Sequence, residues 1–168
     1  QTFTHYKNDP HDPQSLSDDY IFAITDAEPG YLWVGTMKGG LNHFNKRTGK
    51  CEIFRNDPDD EKSISGDNIK TLFVDGETLW ISHHRLGIDK FDVKTKTKIK
   101  NYSVQSTPKG FISNNSTNKI YKDLNGRLWF ATFYGLCRYN YESDSFTNYL
   151  FEASDSTTIS DNMIFCVH

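Results

Sequence analysis

Several things are missing from this 168-residue chain, and each absence removes a class of function. No run of about 18 apolar residues occurs, so no segment reads as a membrane-spanning helix. No basic stripe occurs either: 19 Lys and Arg are interspersed with 22 Asp and Glu, for a net charge of -3. A surface that tracks phosphates needs clustered cations, so nucleic acid is not an expected partner. Cysteine is scarce and odd in number, at Cys51, Cys137 and Cys166, with no CxxC pair. That argues against a disulfide framework or a zinc site and predicts buried free thiols. GxSxG, HExxH, EF-hand and phosphate-cradling glycine motifs are all missing. There is no initiating Met and no signal peptide, and the start at Gln1 reads as a mature or trimmed segment.

Aromatic residues, in contrast, are plentiful: 12 Phe, 9 Tyr and 3 Trp make up 14% of the chain. A core built on large rings and β-branched side chains suits sheets. The chain is also internally repetitive. Short Ser- or Thr-flanked apolar signals are centred on Leu16, Ile64, Ile112 and Ile159, spaced 48, 48 and 47 residues apart. Leu-Trp recurs at Leu32-Trp33, Leu79-Trp80 and Leu128-Trp129, which accounts for every tryptophan. Gly-aliphatic recurs at Gly40-Leu41, Gly87-Ile88 and Gly135-Leu136. One aromatic follows at Phe44, Phe91 and Tyr139, and another closes each unit at Phe54, Tyr102 and Tyr149.

Within a unit the pattern predicts four short strands, A to D, separated by turn residues. In the first unit these are Tyr20–Ala23, Tyr31–Thr36, Leu41–Asn45 and Lys50–Arg55. A period of roughly 40–50 residues with four antiparallel strands is that of a β-propeller blade. The predicted fold is all-β: a propeller fragment of about three blades with one flanking strand at each end. Residues 1–14 form the outer strand of a preceding blade and a linker. Blades span 15–62, 63–110 and 111–157, and 158–168 is the inner strand of a next blade. Three blades cannot close a ring, so the remaining blades of the same propeller are expected partners.

The segments Asn8-Asp9-Pro10-His11-Asp12-Pro13-Gln14-Ser15-Leu16-Ser17 and Leu32-Trp33-Val34-Gly35-Thr36-Met37-Lys38-Gly39-Gly40-Leu41-Asn42-His43-Phe44-Asn45 closely resemble the two-component-regulator propeller repeat. Repeat 2 departs from the pattern at Ser82-His83-His84-Arg85 and repeat 3 at Ala131-Thr132-Phe133-Tyr134. These departures read as positions released for ligand contact. The resemblance implies the periplasmic sensor region of a Bacteroides-type hybrid two-component system, anchored in the inner membrane. It further implies two seven-bladed propellers, a homodimeric receptor, and a histidine kinase and DNA-binding regulator elsewhere in the protein. The ligand implied is a glycan or oligosaccharide.

Candidate ligand contacts follow from propeller geometry. The B–C and D–A connections share one rim, where propellers commonly bind ligands. The B–C positions offer Lys38, then His83, His84 and Arg85, then Phe133 and Tyr134. Flat rings and planar donors are the mixture that sugars need. His83 and His84 are adjacent on a strand and point to opposite faces, so no metal site is expected, and no cofactor. Asp57, Asp59, Asp60, Glu61, Asp9 and Asp12 lie in turns and read as backbone caps. Asp18, Asp19, Asp67 and Asp161, near the A-strand starts, are the carboxylates an enzyme would have to use. The segment is therefore expected to be a non-enzymatic sensor module. A structural or protein-docking propeller is the alternative, and a polysaccharide-acting enzyme a weaker one.

Overall fold

The computed structural model describes residues 2–105 and 111–167. It contains twelve strands and, among the described residues, no helix. They form three antiparallel four-stranded sheets, each joining sequential neighbours. Blade 1 is β1 (Ile21–Asp26), β2 (Tyr31–Thr36), β3 (Leu41–Asn45) and β4 (Cys51–Phe54). Blade 2 is β5 (Ile69–Asp75), β6 (Thr78–His83), β7 (Gly87–Asp92) and β8 (Thr97–Tyr102). Blade 3 is β9 (Thr117–Lys122), β10 (Leu128–Thr132), β11 (Gly135–Asn140) and β12 (Ser145–Tyr149). The first strands β1, β5 and β9 lie side by side, as the inner strands of a propeller must.

The core sits between the blades. Trp33 and Leu41 of blade 1 pack on Ile64, Ile69, Leu72, Leu79, Ile81 and Phe91 of blade 2. The Trp33 and Phe91 rings meet edge to face at 5.9 Å. One repeat later, Trp80, Ile88 and Tyr102 pack on Ile112, Ile120, Leu128, Phe130, Tyr139 and Phe146. Trp80 meets Phe130 at 5.3 Å and Tyr139 at 4.7 Å. Each Trp pairs in register with a basic side chain or imidazole on the next strand: Trp33 with His43, Trp80 with Lys90, Trp129 with Arg138.

The repeated glycine has a steric reason. At Gly40, Gly87 and Gly135 the backbone is left-handed, with φ of 77°, 85° and 101°. A Cβ there would come within 2.3, 2.1 and 2.7 Å of the Phe54, Tyr102 and Tyr149 carbonyl oxygens. The same glycine N–H groups donate across the blade boundary, to the Asp67, Asn115 and Asn162 carbonyls at 3.0, 3.0 and 2.6 Å.

The two ends differ from expectation in one respect. Neither the amino-terminal segment nor the carboxy-terminal one is strand among the described residues, because neither has a strand of its own blade to pair with. Both nonetheless hold the places that the repeat assigns them. Tyr6 packs edge-on against Phe44 at 4.9 Å, as Phe54 does against Phe91 at 5.8 Å. Asn162 accepts the Gly135 bond just as Asp67 and Asn115 accept theirs. Gln1 and His168 lie outside the described residues, as does the 106–110 stretch that ends the second repeat. Beyond Tyr6, the free face of blade 1 holds a 380 Å³ hollow lined by Leu16, Ile21, Ile24, Leu32 and Val34. These are the positions that meet the neighbouring Trp at the blade 1–blade 2 boundary. The cysteines are all free, but Cys166 is exposed, against the expectation of three buried thiols. It falls in the terminal segment that no further blade covers. Burial raises the Cys51 thiol to about 11.

Asp144, in the last turn of blade 3, ties the outer edges of blades 2 and 3 together. It accepts the hydroxyls of Tyr102 and Tyr139, and the ammoniums of Lys90 and Lys100 at 3.2 and 2.8 Å. Partial burial acts to raise its pKa. The hydrogen bonds from Lys100, Tyr102, Tyr139 and Lys90 outweigh that and hold the carboxyl well below the usual carboxylate range.

Two outcomes follow. Gly87→Ala forces a side chain into a left-handed conformation against a backbone carbonyl. It is expected to lower stability by about 2–3 kcal/mol, measured by urea denaturation. Asp144 has a depressed folded-state pKa, so its contribution is complete above the unfolded value of about 4 and is lost as pH falls through the folded one. Asp144→Asn, which tolerates the φ of 48°, should therefore be less stable than the parent at neutral pH. That gap should close on acidification, in paired melts from pH 7 down to about 2.

Candidate ligand-binding rim

The turns that shape the rim are built by short polar side chains at repeat positions. Asp19, Asp67, Asn115 and Asn162 each accept, through a side-chain oxygen, the N–H of Asn8, Asn56, Val104 and Phe151 at 2.7–2.8 Å. Within the D–A connections Asp9, Asp12, Asp57, Asp60 and Asp155 cap the N–H two residues on. Asp18 caps Tyr20 and Lys38, and Asp161 caps Met163. The four carboxylates that an enzyme would have to use are thus taken up in holding turns.

Inside the rim, each inner strand carries a bulge at the same place. The ladder skips a residue between Ile21 and Ala23, between Ile69 and Thr71, and at Asn118 in blade 3. The extra residues are Phe22, Lys70 and Asn118, and the next residue at that repeat position is Phe165. A bulge re-aims its side chain, and the Lys70 ammonium is carried over the ring of Phe133, 5.0 Å from its centre. Phe165 approaches the same ring edge-on at 6.1 Å. Phe133 and Tyr134 form the short β10–β11 loop, and both rings are exposed. Their backbone is pinned: the Phe133 N–H donates to the Ser116 carbonyl at 3.3 Å, and the Tyr134 N–H to Thr132 Oγ1 at 3.0 Å.

In blade 2 the loop is His84, Arg85 and Leu86, all exposed. The His84 N–H donates to the Asn68 carbonyl at 2.9 Å, and Arg85 is left-handed with φ of 64°. The His84 pKa is lowered by partial desolvation and by the positive charges of Lys70 and Arg85. Lys70, His84, Arg85, Phe133, Tyr134 and Phe165 therefore form the rim around blades 2 and 3. Lys38 is also exposed, but it lies on the β2–β3 loop of blade 1. Its backbone contacts there are with Asp18 and Arg55.

His83 stands apart from the rim. It is the last residue of β6 and fully buried, and its Nε2 lies 2.7 Å from Asp89 Oδ2. The departure of repeat 2 at this position is thus matched by a second one. In blades 1 and 3 the position is Thr36 and Thr132, each bonding a carbonyl of its own loop, Gly40 and Gly135. The Asp89 position is there Asn42 and Cys137, paired with Ser17 and Ser113. In blade 2, Asp89 takes Ser65 as well as His83, and Asn101 at 2.8 Å. Burial works to raise the Asp89 carboxyl, and the bonds from His83 and Ser65 overcome it and lower it.

Lys70 and Phe165 were not among the positions marked by sequence. Lys70 becomes visible only through the bulge, since alternation alone sends an inner-strand residue to one face or the other. Phe165 has a sequence signal: it stands 47 residues beyond Asn118 and 95 beyond Lys70 in the same repeat.

No family model matches the chain. Over 150 residues it is 32% identical to histidine kinase P4 of Formosa agariphila, a match that covers 89% of this chain. Among solved structures, it is similar to the extracellular domains of two B. thetaiotaomicron proteins described as hybrid two-component systems. The first superimposes with a TM-score of 0.77 at 22% identity over 90% of this chain. The second does so with a TM-score of 0.68 at 20% identity over 91%. This chain spans 11% of the kinase and 21% and 19% of the two solved chains. Repeat, fold and relatives agree: the chain is an arc of a β-propeller, similar in fold to the extracellular domains of hybrid two-component systems.

Proposed function

We propose that this arc is part of the extracytoplasmic, ligand-sensing propeller of a membrane-anchored hybrid two-component regulator, and that its rim binds an oligosaccharide. The observation that carries the reading is the pair of exposed rings, Phe133 and Tyr134, held on a pinned loop beside Lys70, His84 and Arg85. Apolar sugar faces stack on rings, and hydroxyls take directed bonds from the imidazole and guanidinium. The segment itself does no chemistry: it binds, and a kinase elsewhere in the protein responds. Binding produces a signal only if the ligand prefers one arrangement of two protomers to the other. A ligand spanning two loops senses their relative position.

The test is calorimetric titration of the protein against a panel of neutral and acidic oligosaccharides, with Phe133→Ala and Tyr134→Ala in parallel. At least one saccharide should bind, and each truncation should weaken it about fivefold or more, as loss of about 1 kcal/mol of ring contact requires. Binding that is unchanged in both variants removes the rim as the site. Failure of every saccharide to bind removes the reading altogether.

A further inference from the structure

The rim gathers Lys70, His84 and Arg85 beside two exposed rings, Phe133 and Tyr134. Several cations elsewhere on the surface are answered by carboxylates. Lys50 pairs with Asp12 at 2.5 Å, Lys122 with Asp75 at 2.5 Å, and Arg55 with Asp67 at 3.6 Å. Lys94 pairs with Glu77, Lys96 with Glu52, and Lys90 and Lys100 share Asp144. This happens in a chain with more acidic than basic residues, so partners are not in short supply. Lys70, His84 and Arg85 have no carboxylate within ion-pair distance among the described residues. They lie close enough for the first and third to oppose protonation of the second. The bulge that every inner strand carries places Lys70 over the Phe133 ring, and Arg85 is left-handed in the adjacent loop.

We infer that the ligand of this rim is an anionic saccharide, whose carboxylate or sulfate is taken by Lys70, His84 and Arg85 while a neighbouring ring stacks on Phe133 or Tyr134. The inference rests on the oligosaccharide reading above and narrows it. An oxyanion supplies the missing counter-charge, and Arg85 offers a planar fork that matches it. The ring of Phe133 holds Lys70 in place by a cation–π contact that leaves the outer donors of the ammonium free. The contact also sets the spacing, with anion and stacking surface on adjacent loops. A saccharide with its charge on or next to the stacked sugar fits, and a free inorganic anion lacks the stacking half.

The experiment titrates the protein with tetragalacturonate, a chondroitin sulfate tetrasaccharide, neutral maltotetraose and inorganic sulfate. Each is run at low and at physiological ionic strength. One or both acidic tetrasaccharides should bind more tightly than maltotetraose and than sulfate, and weaken as salt rises. Which of the two wins separates carboxylate from sulfate recognition. Lys70→Gln and Arg85→Asn should each reduce that affinity about tenfold. Asn is chosen because it accepts the left-handed backbone. Both positions are on the surface, and an unchanged melting temperature verifies the fold of each variant. Maltotetraose binding as tightly as both acidic sugars, with loss in Tyr134→Ala, would overturn the anionic class while leaving the oligosaccharide site intact. Acidic sugars that bind with affinity unmoved by Lys70→Gln and Arg85→Asn would also overturn it. If no saccharide binds, the inference fails together with the reading beneath it.

Discussion

One contact governs this molecule: the face of a blade that carries Trp fits the apolar face of the next blade. Trp33 and Trp80 are each about 1% exposed. The large ring fills a wedge between two twisted sheets, and the residues around it follow from that. Leu41 and Ile88 lie beside it, Phe91 and Tyr139 meet it edge-on, and Gly35 leaves room for Ile69. The 48-residue period is the spacing at which this wedge recurs. Both ends of the chain answer to it. Tyr6 occupies the place of an outer strand, and Asn162 the place where an inner strand begins.

A second, polar layer converts that packing into a shaped rim. The connections are rich in Asp, Asn and Ser because they have to be. Each repeat positions an Asx oxygen on a backbone N–H of the preceding loop, and each D–A turn is capped by its own side chains. The glycine that opens strand C donates to the following blade, so loop and boundary are fixed together. On this frame the variable residues can change without disturbing the fold. Lys70 sits where the neighbouring repeats have Phe22 and Asn118, His84 where they have Met37 and Phe133, and Arg85 where they have Lys38 and Tyr134. The charge that blade 2 presents at its rim is a local feature on a general scaffold.

The architecture was largely legible in the sequence because the landmarks are steric. Trp, Gly and the closing aromatic each have one role per repeat, and strands β2 and β3 match the predicted Tyr31–Thr36 and Leu41–Asn45. The site was only half legible. His83 and His84 look alike in sequence, yet one ends a strand facing Asp89 and the other begins a loop. The signal that separates them is Asp89 itself, at a position that is Asn42 and Cys137 in the other repeats. Lys70 was hidden by its bulge, which alternation cannot register. Asp144 looked like an ordinary turn residue in Glu142-Ser143-Asp144, and its importance comes from Lys90, Lys100 and Tyr102, all contributed by another blade. Local pattern carries local structure, and such charge networks depend on contacts 40 or more residues apart.

The most direct test of the wedge compares one tryptophan that is covered with one that is not. Trp80 is buried against blade 3, whereas Trp129, at the same repeat position, faces no complete blade in this chain and is half-buried. Urea unfolding of Trp80→Ala and Trp129→Ala in the 168-residue chain measures the difference. Trp80→Ala should cost about 3–5 kcal/mol, as a large core truncation does, and Trp129→Ala a small fraction of that. Equal losses at the two positions would mean that the tryptophan stabilises its own sheet, and would contradict inter-blade packing as the organising contact.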